Sequence, residues 1–149
     1  MGPLRCYTVV SALVAGLMLA ALAGENAGPP AVEIQLTGSF GGLRLINRGA
    51  AVRLSSTLKV ERKAKRGWED TGVTHLRLIT RCASGPVPEC VSLDAAATLQ
   101  PLPWTGRYCA SQCPAACDLD SPLPRGAYRF TASTCDGAHH FESPPFEKN

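Results

Sequence analysis

Three stretches hold residues whose types and spacing would do chemistry. The first is Cys109-x3-Cys113-x3-Cys117. On a helix, steps of four align three thiolates on one face, and Cys135 or His139 would complete a four-ligand zinc site. Two features oppose this. Pro114 falls inside the spacing and breaks a continuous helix, and the Cys-x2-Cys knuckle of zinc modules and of redox motifs is absent. The second stretch is His139-His140 beside Cys135 and Asp136. Neighbours on a strand point to opposite faces, so the two imidazoles do not share one metal. The third is Arg62-Lys63-Ala64-Lys65-Arg66, next to Trp68. Arg62, Lys63, Lys65 and Arg66 set up a local positive field that attracts a polyanion such as surface polysaccharide or anionic lipid headgroups. The plainer reading is a solvated hairpin whose cations blunt edge pairing. Ser, His and Asp are plentiful, yet no Gly-x-Ser-x-Gly elbow and no Cys-His signature is present. No catalytic residue, metal ligand or cofactor is assigned, and the chain reads as a non-enzyme.

The cysteines need a compartment. Arg5 is the only charge ahead of an uncharged run from Cys6 to Ala23, and the run ends in Ala21-Leu22-Ala23. One cation, a short apolar run and a small-x-small site make a secretory signal peptide over residues 1–23. The run is about the minimum for a membrane span, roughly 18 residues, and no basic cluster follows it. Leu22-Ala23-Gly24 resembles the start of a lipoprotein signal, but Glu25 stands where the lipidated Cys belongs, so no lipid anchor is expected. Export would leave Cys82, Cys90, Cys109, Cys113, Cys117 and Cys135, an even set that reads as three disulfides. Cys82 and Cys90 are the favoured local pair. A second bond is expected to tie Cys135 to the Cys109–Cys117 segment.

These residues have to be held by strands. Residues 24–30 form a Pro-Gly leader, expected to be mobile, and residues 31–149 the domain. Val32, Ile34 and Leu36 alternate with polar neighbours. Leu43-Arg44-Leu45 is a second strand, stopped by Asn47-Arg48-Gly49, residues that tolerate positive φ. From Val52 to Lys63, Val52, Leu54, Ser56, Leu58 and Val60 face one way and Arg53, Ser55, Thr57, Lys59 and Glu61 the other. Lys65-Arg66-Gly67 turns the chain and Trp68 begins the return. Leu76–Ile79 is a strand, and Val91 and Leu93 resume alternation. Pro101–Trp104 is not a central strand, and Tyr108–Pro124 is irregular. Tyr128, Phe130 and Ala132 alternate with Arg129, Thr131 and Ser133. Asp136-Gly137 turns a hairpin, Ala138–Glu142 returns, and a tail ends at Phe146. Seven or eight short strands with frequent Gly and Pro turns make an all-β, antiparallel β-sandwich, with a small Greek-key barrel as the alternative.

Four features carry a resemblance. They are the Asn47-x-Gly49 break, the long strand from Leu54 to Gly67-Trp68, the Leu93 to Trp104 step, and Leu123-Pro-x-Gly-x-Tyr-Arg129 leading into the penultimate strand. In this order they resemble a bacterial immunoglobulin-like domain of exported proteins and lipoproteins, over about residues 31–147. Leu93-Asp94-Ala95-Ala96 departs from the Pro-Gly turn usual after the central Leu, and the six Cys lie outside the general pattern. The resemblance implies an immunoglobulin-like sandwich in the cell envelope and assigns no catalytic residue.

With 45% hydrophobic and 18% charged residues the chain is expected to fold. A net charge of +3 is too small to announce a nucleic-acid binder. The reading is a secreted or periplasmic, disulfide-stabilised module that binds or builds, its partner a protein or an anionic surface polymer. Two alternatives stay open. One is an extracellular protease inhibitor that uses a stiff Pro-rich, Cys-flanked loop, Ser84–Cys90 or Pro101–Cys113, with Arg107 or Arg125 as primary anchor. The other is a metal-binding protein using the late Cys and His residues.

Overall fold

The computed structural model describes residues 28–110, 112–113, 117 and 120–149. The expected signal peptide, and all but the end of the leader, lie outside the described residues. The strands are β1 (Val32–Leu36), β2 (Leu43–Asn47), β3 (Val52–Ser55), β4 (Lys59–Ala64), β5 (Gly67–Asp70), β6 (Cys90–Leu93), β7 (Thr98–Leu99), β8 (Gly126–Ser133), β9 (His140–Glu142) and β10 (Phe146–Lys148). No helix occurs among the described residues. One sheet runs β1-β2-β7 and a second β10-β8-β4-β5, with β9 also on β8. β3 and β6 form a third pair. Every strand pair is antiparallel.

Alternation explains which side chains go inside. Val32, Ile34, Leu43 and Leu45 from the first sheet meet Val60, Tyr128, Phe130 and Ala132 from the second in one buried cluster. Trp104 lies at its centre although Pro101 and Pro103 keep its segment out of the ladders. Its backbone N–H donates to Gly41 O (2.9 Å), and its indole N–H donates to Arg107 O (3.0 Å). Its ring centroid stands 6.0 Å from those of Tyr128 and Phe130 and 6.2 Å from that of Phe146. Such ring pairs add to the area they bury.

The single strand expected over Val52–Lys63 is two. Val52, Leu54, Ser56, Leu58 and Val60 are all buried, so the facing is as read from the sequence. The ladder nevertheless breaks at Ser56–Leu58, because the backbone changes partners there. Ser56 N–H donates to Glu89 O (2.8 Å), Leu78 N–H to Ser56 O (2.7 Å), and Leu58 N–H to Leu76 O (3.0 Å). β3 therefore pairs with β6, the middle of the run with Leu76–Leu78, and β4 with β8 and β5. The strand expected at Leu76–Ile79 shrinks to one bridge, Thr57 with Arg77, for the same reason. Leu76 and Leu78 are still buried.

The Asn47-x-Gly49 break has a different cause from the one expected. Neither residue has positive φ. Asn47 is fully buried. Its amide donates to Ala50 O (2.7 Å), Leu93 O (3.1 Å) and Asp94 O (3.1 Å), while its side-chain oxygen accepts Gly49 N–H (2.9 Å). One side chain thus ties the β2–β3 connection to the end of β6. Gly49 is small because a Cβ there would stand 2.8 Å from Pro29 O and 2.9 Å from Ala31 N.

This register predicts that Leu58→Ala costs roughly 2–5 kcal/mol. Lys59 is exposed and its 3.6 Å ion pair with Asp70 lies in solvent, so Lys59→Ala should stay within about 0.5 kcal/mol. Urea melts of the two variants decide it, and equal losses would refute the facing.

Candidate functional site

The cationic hairpin is built by β4 and β5, which pair Lys63 with Trp68 and close at Ala64 and Gly67. Lys65 and Arg66 make the turn without positive φ, and Gly67 takes it up at +136°. That conformation is open to glycine and costly for other residues. Lys65 and Arg66 are exposed at the tip. Arg62 and Lys63 leave β4 on opposite faces. Lys63 stands over the Trp68 ring (5.2 Å), and Arg129 approaches the same ring at 4.7 Å. Arg62 instead lies along Gly126, where a Cβ would meet its Nε at 3.2 Å, and donates to Arg125 O (3.0 Å).

Register adds cations that spacing did not reveal. Lys148 of β10 pairs with Gly126 of β8, while Arg62 of β4 pairs with Tyr128 from the other side. Arg62 and Lys148 therefore flank Gly126, with exposed Arg125 preceding it. Lys148 is anchored by donating to Leu123 O (2.8 Å). None of Arg62, Lys63, Lys65, Arg66, Arg125 and Lys148 forms an ion pair among the described residues. The carboxylates nearest along the ladders are Glu69, opposite Arg62, and Glu147, opposite Ala127. The sheet end is net positive.

Arg48, Lys59, Arg107 and Arg129, by contrast, are paired with carboxylates. Arg129 bridges Glu61 (2.6 Å) and Glu142 on the outer sheet face, beside a depression of about 430 Å³ lined by Lys59, Thr131 and His140. A second depression, about 580 Å³, is lined by Arg53, Thr134, Asp136 and His139. The two adjacent histidines thus line different depressions, as their strand positions require. The Thr134 hydroxyl (2.6 Å) and the Ala138 N–H (3.0 Å) hold the Asp136 carboxyl below its ordinary range. Asp136 shapes its hairpin turn.

All six expected cysteines are in disulfides, but not in the expected pairs. Cys82 joins Cys113, Cys90 joins Cys135, and Cys109 joins Cys117, with Cα separations of 5.6, 5.9 and 6.1 Å. The Cys82–Cys90 pair and the tie from Cys135 to the Cys109–Cys117 segment are therefore both replaced. β3 is the reason. Ser55 stands opposite Cys90, and Arg53 O accepts Cys135 N–H (2.8 Å), so β3 gathers Cys90 and Cys135. The sulfurs of Cys109-x3-Cys113-x3-Cys117 are engaged. Among the described residues no group of three His, Cys, Asp or Glu is placed to hold a metal.

The Pro101–Cys113 loop is partly anchored in the core, with Pro101, Trp104, Gly106 and Ala110 buried and Pro103, Thr105, Arg107 and Tyr108 exposed. Arg107 donates to the Asp120 carboxylate and to Asp120 O (2.9 Å) and is not an available anchor. Partial burial pushes the Asp120 carboxyl up, but the Cys109 N–H (2.8 Å) and Arg107 outweigh it and hold the carboxyl below its ordinary range. A depressed carboxylate contributes stability that is present above its unfolded pKa and lost as pH falls through the folded one. The Cys109 amide resonance should accordingly move only at a pH below the range in which an ordinary Asp titrates. In Asp120→Asn this transition should vanish from an NMR titration.

No family model, curated protein or solved structure matches this chain.

Proposed function

We propose that the chain is an exported, non-enzymatic binding module of immunoglobulin-like type whose cationic sheet end contacts an anionic polymer of the cell surface. Three disulfides fit an oxidising compartment, extracellular or periplasmic. Two features support the immunoglobulin-like assignment. The neighbour orders β1-β2-β7 and β10-β8-β4-β5 are those of a two-sheet domain with strands A, B and E on one side and G, F, C and C′ on the other. The buried Tyr128, in the motif Leu123-Pro-x-Gly-x-Tyr-Arg129, donates its hydroxyl to Pro124 O (2.5 Å). A tyrosine bonded back to the chain just ahead of strand F is a hallmark of such domains.

One observation carries the binding reading. Arg62 and Arg125, 63 residues apart, meet beside Lys148 and the Lys65-Arg66 turn, and no carboxylate among the described residues pairs with them. A cluster assembled by register concentrates potential where a polyanion would feel it. The bond is electrostatic, so salt weakens it.

The exported protein is expected to be retained on an immobilised sulfated polysaccharide and to elute with rising salt. Lys65→Glu with Arg66→Glu should abolish retention at about 0.15 M salt, where the screening length is about 8 Å, with no change in circular dichroism. Retention unaffected by the double substitution would overturn the assignment of this end. Export has its own measurement. The intact mass should match a chain starting near Gly24 without lipid, and a mass retaining residues 1–23 would mean an anchored protein.

A further inference from the structure

The loop between Cys82 and Cys90 combines full exposure with a covalent fastening at each end. Every residue from Arg81 to Glu89 is exposed. Its two ends are fastened to different places, Cys82 to Cys113 and Cys90 to Cys135. Where it joins β6, Glu89 O accepts Ser56 N–H. Between Ala83 and Pro88 no backbone hydrogen bond is made among the described residues. The loop is held at its ends and pairs with nothing in between.

Its sequence sets the shape of the middle. Pro86 and Pro88 fix their own φ, and Pro88 pushes Val87 towards extended backbone, while Gly85 ahead of them turns the chain at a φ of +119°. Val87 is caught between them. It is 41% exposed, one of three large hydrophobics left in solvent among the described residues. A stiff loop loses little conformational entropy on binding. An extended segment with unpaired backbone groups is the shape that adds to a partner as a strand, with alternate side chains entering pockets. Endopeptidases bind substrates in this form.

We propose that the Ala83–Glu89 loop is a substrate-like, reversible inhibitor of serine endopeptidases whose primary pocket is small and apolar, and that Val87 fills that pocket. The branched, uncharged side chain fits the small pocket of the elastase type. It does not satisfy a pocket built around a carboxylate. The next bond explains why the loop blocks rather than feeds the enzyme. Val87 is acyl-linked to the ring nitrogen of Pro88, a tertiary amide whose ring crowds the leaving-group side of a serine-peptidase cleft. No covalent step is required. The loop occupies the cleft and leaves intact. This surface is separate from the cationic turn, and the inference does not rest on the polymer-binding reading.

The disulfide-intact protein should inhibit pancreatic elastase competitively and remain uncut, and it should leave trypsin unaffected. Val87→Asp would place a charge in the apolar pocket and should weaken inhibition on the order of 100-fold or more. Val87→Arg should transfer inhibition to trypsin. Pro88→Ala should turn the loop into a substrate cut after Val87, as read by mass. Absence of free thiols and an unchanged circular dichroism spectrum establish that each variant is folded. Wild-type protein that fails to inhibit elastase at about 100 µM, an affinity too weak for a specific inhibitor, overturns the proposal. So does equal inhibition by Val87→Asp, or rapid cutting of the wild-type Val87–Pro88 bond.

Discussion

The run from Val52 to Ala64 has to satisfy three sets of backbone partners without turning its side chains over. β6 takes its first part, Leu76–Leu78 its middle, and β8 and β5 its last. Because side chains alternate with period two, a slip of one residue would expose Leu54, Leu58 and Val60 together. Ser56 is the polar member of the buried row. The place is tolerable because its N–H and C=O both find backbone partners at the switch. The other sheet, the loop and the cationic turn are all positioned by where this run hands over from one neighbour to the next.

Stabilisation is divided between two devices. Residues 32–60 supply much of the apolar core, with Asn47 as a four-bond clamp within it. The later half holds the largest core side chains, Trp104, Tyr128 and Phe130, but is richer in proline. There Trp104 packs from a segment that belongs to no sheet, two disulfides fasten the irregular Cys82 and Cys109–Cys117 segments, and Cys90–Cys135 ties β6 to the turn after β8. Cys90–Cys135 closes a separation of 45 residues and Cys82–Cys113 one of 31. Such long closures restrict the unfolded chain more than the short Cys82–Cys90 loop would have done.

What the sequence made legible follows from what periodicity encodes. Facing was readable wherever alternation was strong, as at Val52–Val60 and Tyr128–Ala132. Pairing was not, since alternation says nothing about which strand lies alongside. The same limit hid β7, two residues long, and β10, where Phe146–Lys148 read as a tail. It misdirected the cysteine pairing too. Loop closure favoured Cys82 with Cys90, whereas the placement of Cys90 opposite Ser55 was a fact of the β3–β6 register. The cationic stretch was visible because its residues are consecutive. Arg125 and Lys148 join it only through β8 and β10, and nothing in their spacing points there. Gly126 was the available hint, with a φ of +148° where Arg62 packs against it.

The two candidate surfaces depend on different forces, because they sit at different points of one strand run. The loop meets it at Ser55, through Cys90, and the cationic turn leaves it at Ala64. At about 3.3 Å per extended residue these points are up to roughly 30 Å apart. That is several screening lengths at physiological salt, so charge at the turn acts weakly on the loop. The stiffness of the loop comes from two disulfides and two prolines, whereas the cations are placed by the β4–β8–β10 register and the bonds of Arg62 and Lys148 to backbone carbonyls. Reduction releases both ends of the loop, whereas β4, β8 and β10 contain no cysteine and keep their backbone ladders. Salt does the reverse, since it screens the cations and strengthens rather than weakens apolar burial. One strand run therefore positions two surfaces with separate sensitivities, one redox and one ionic.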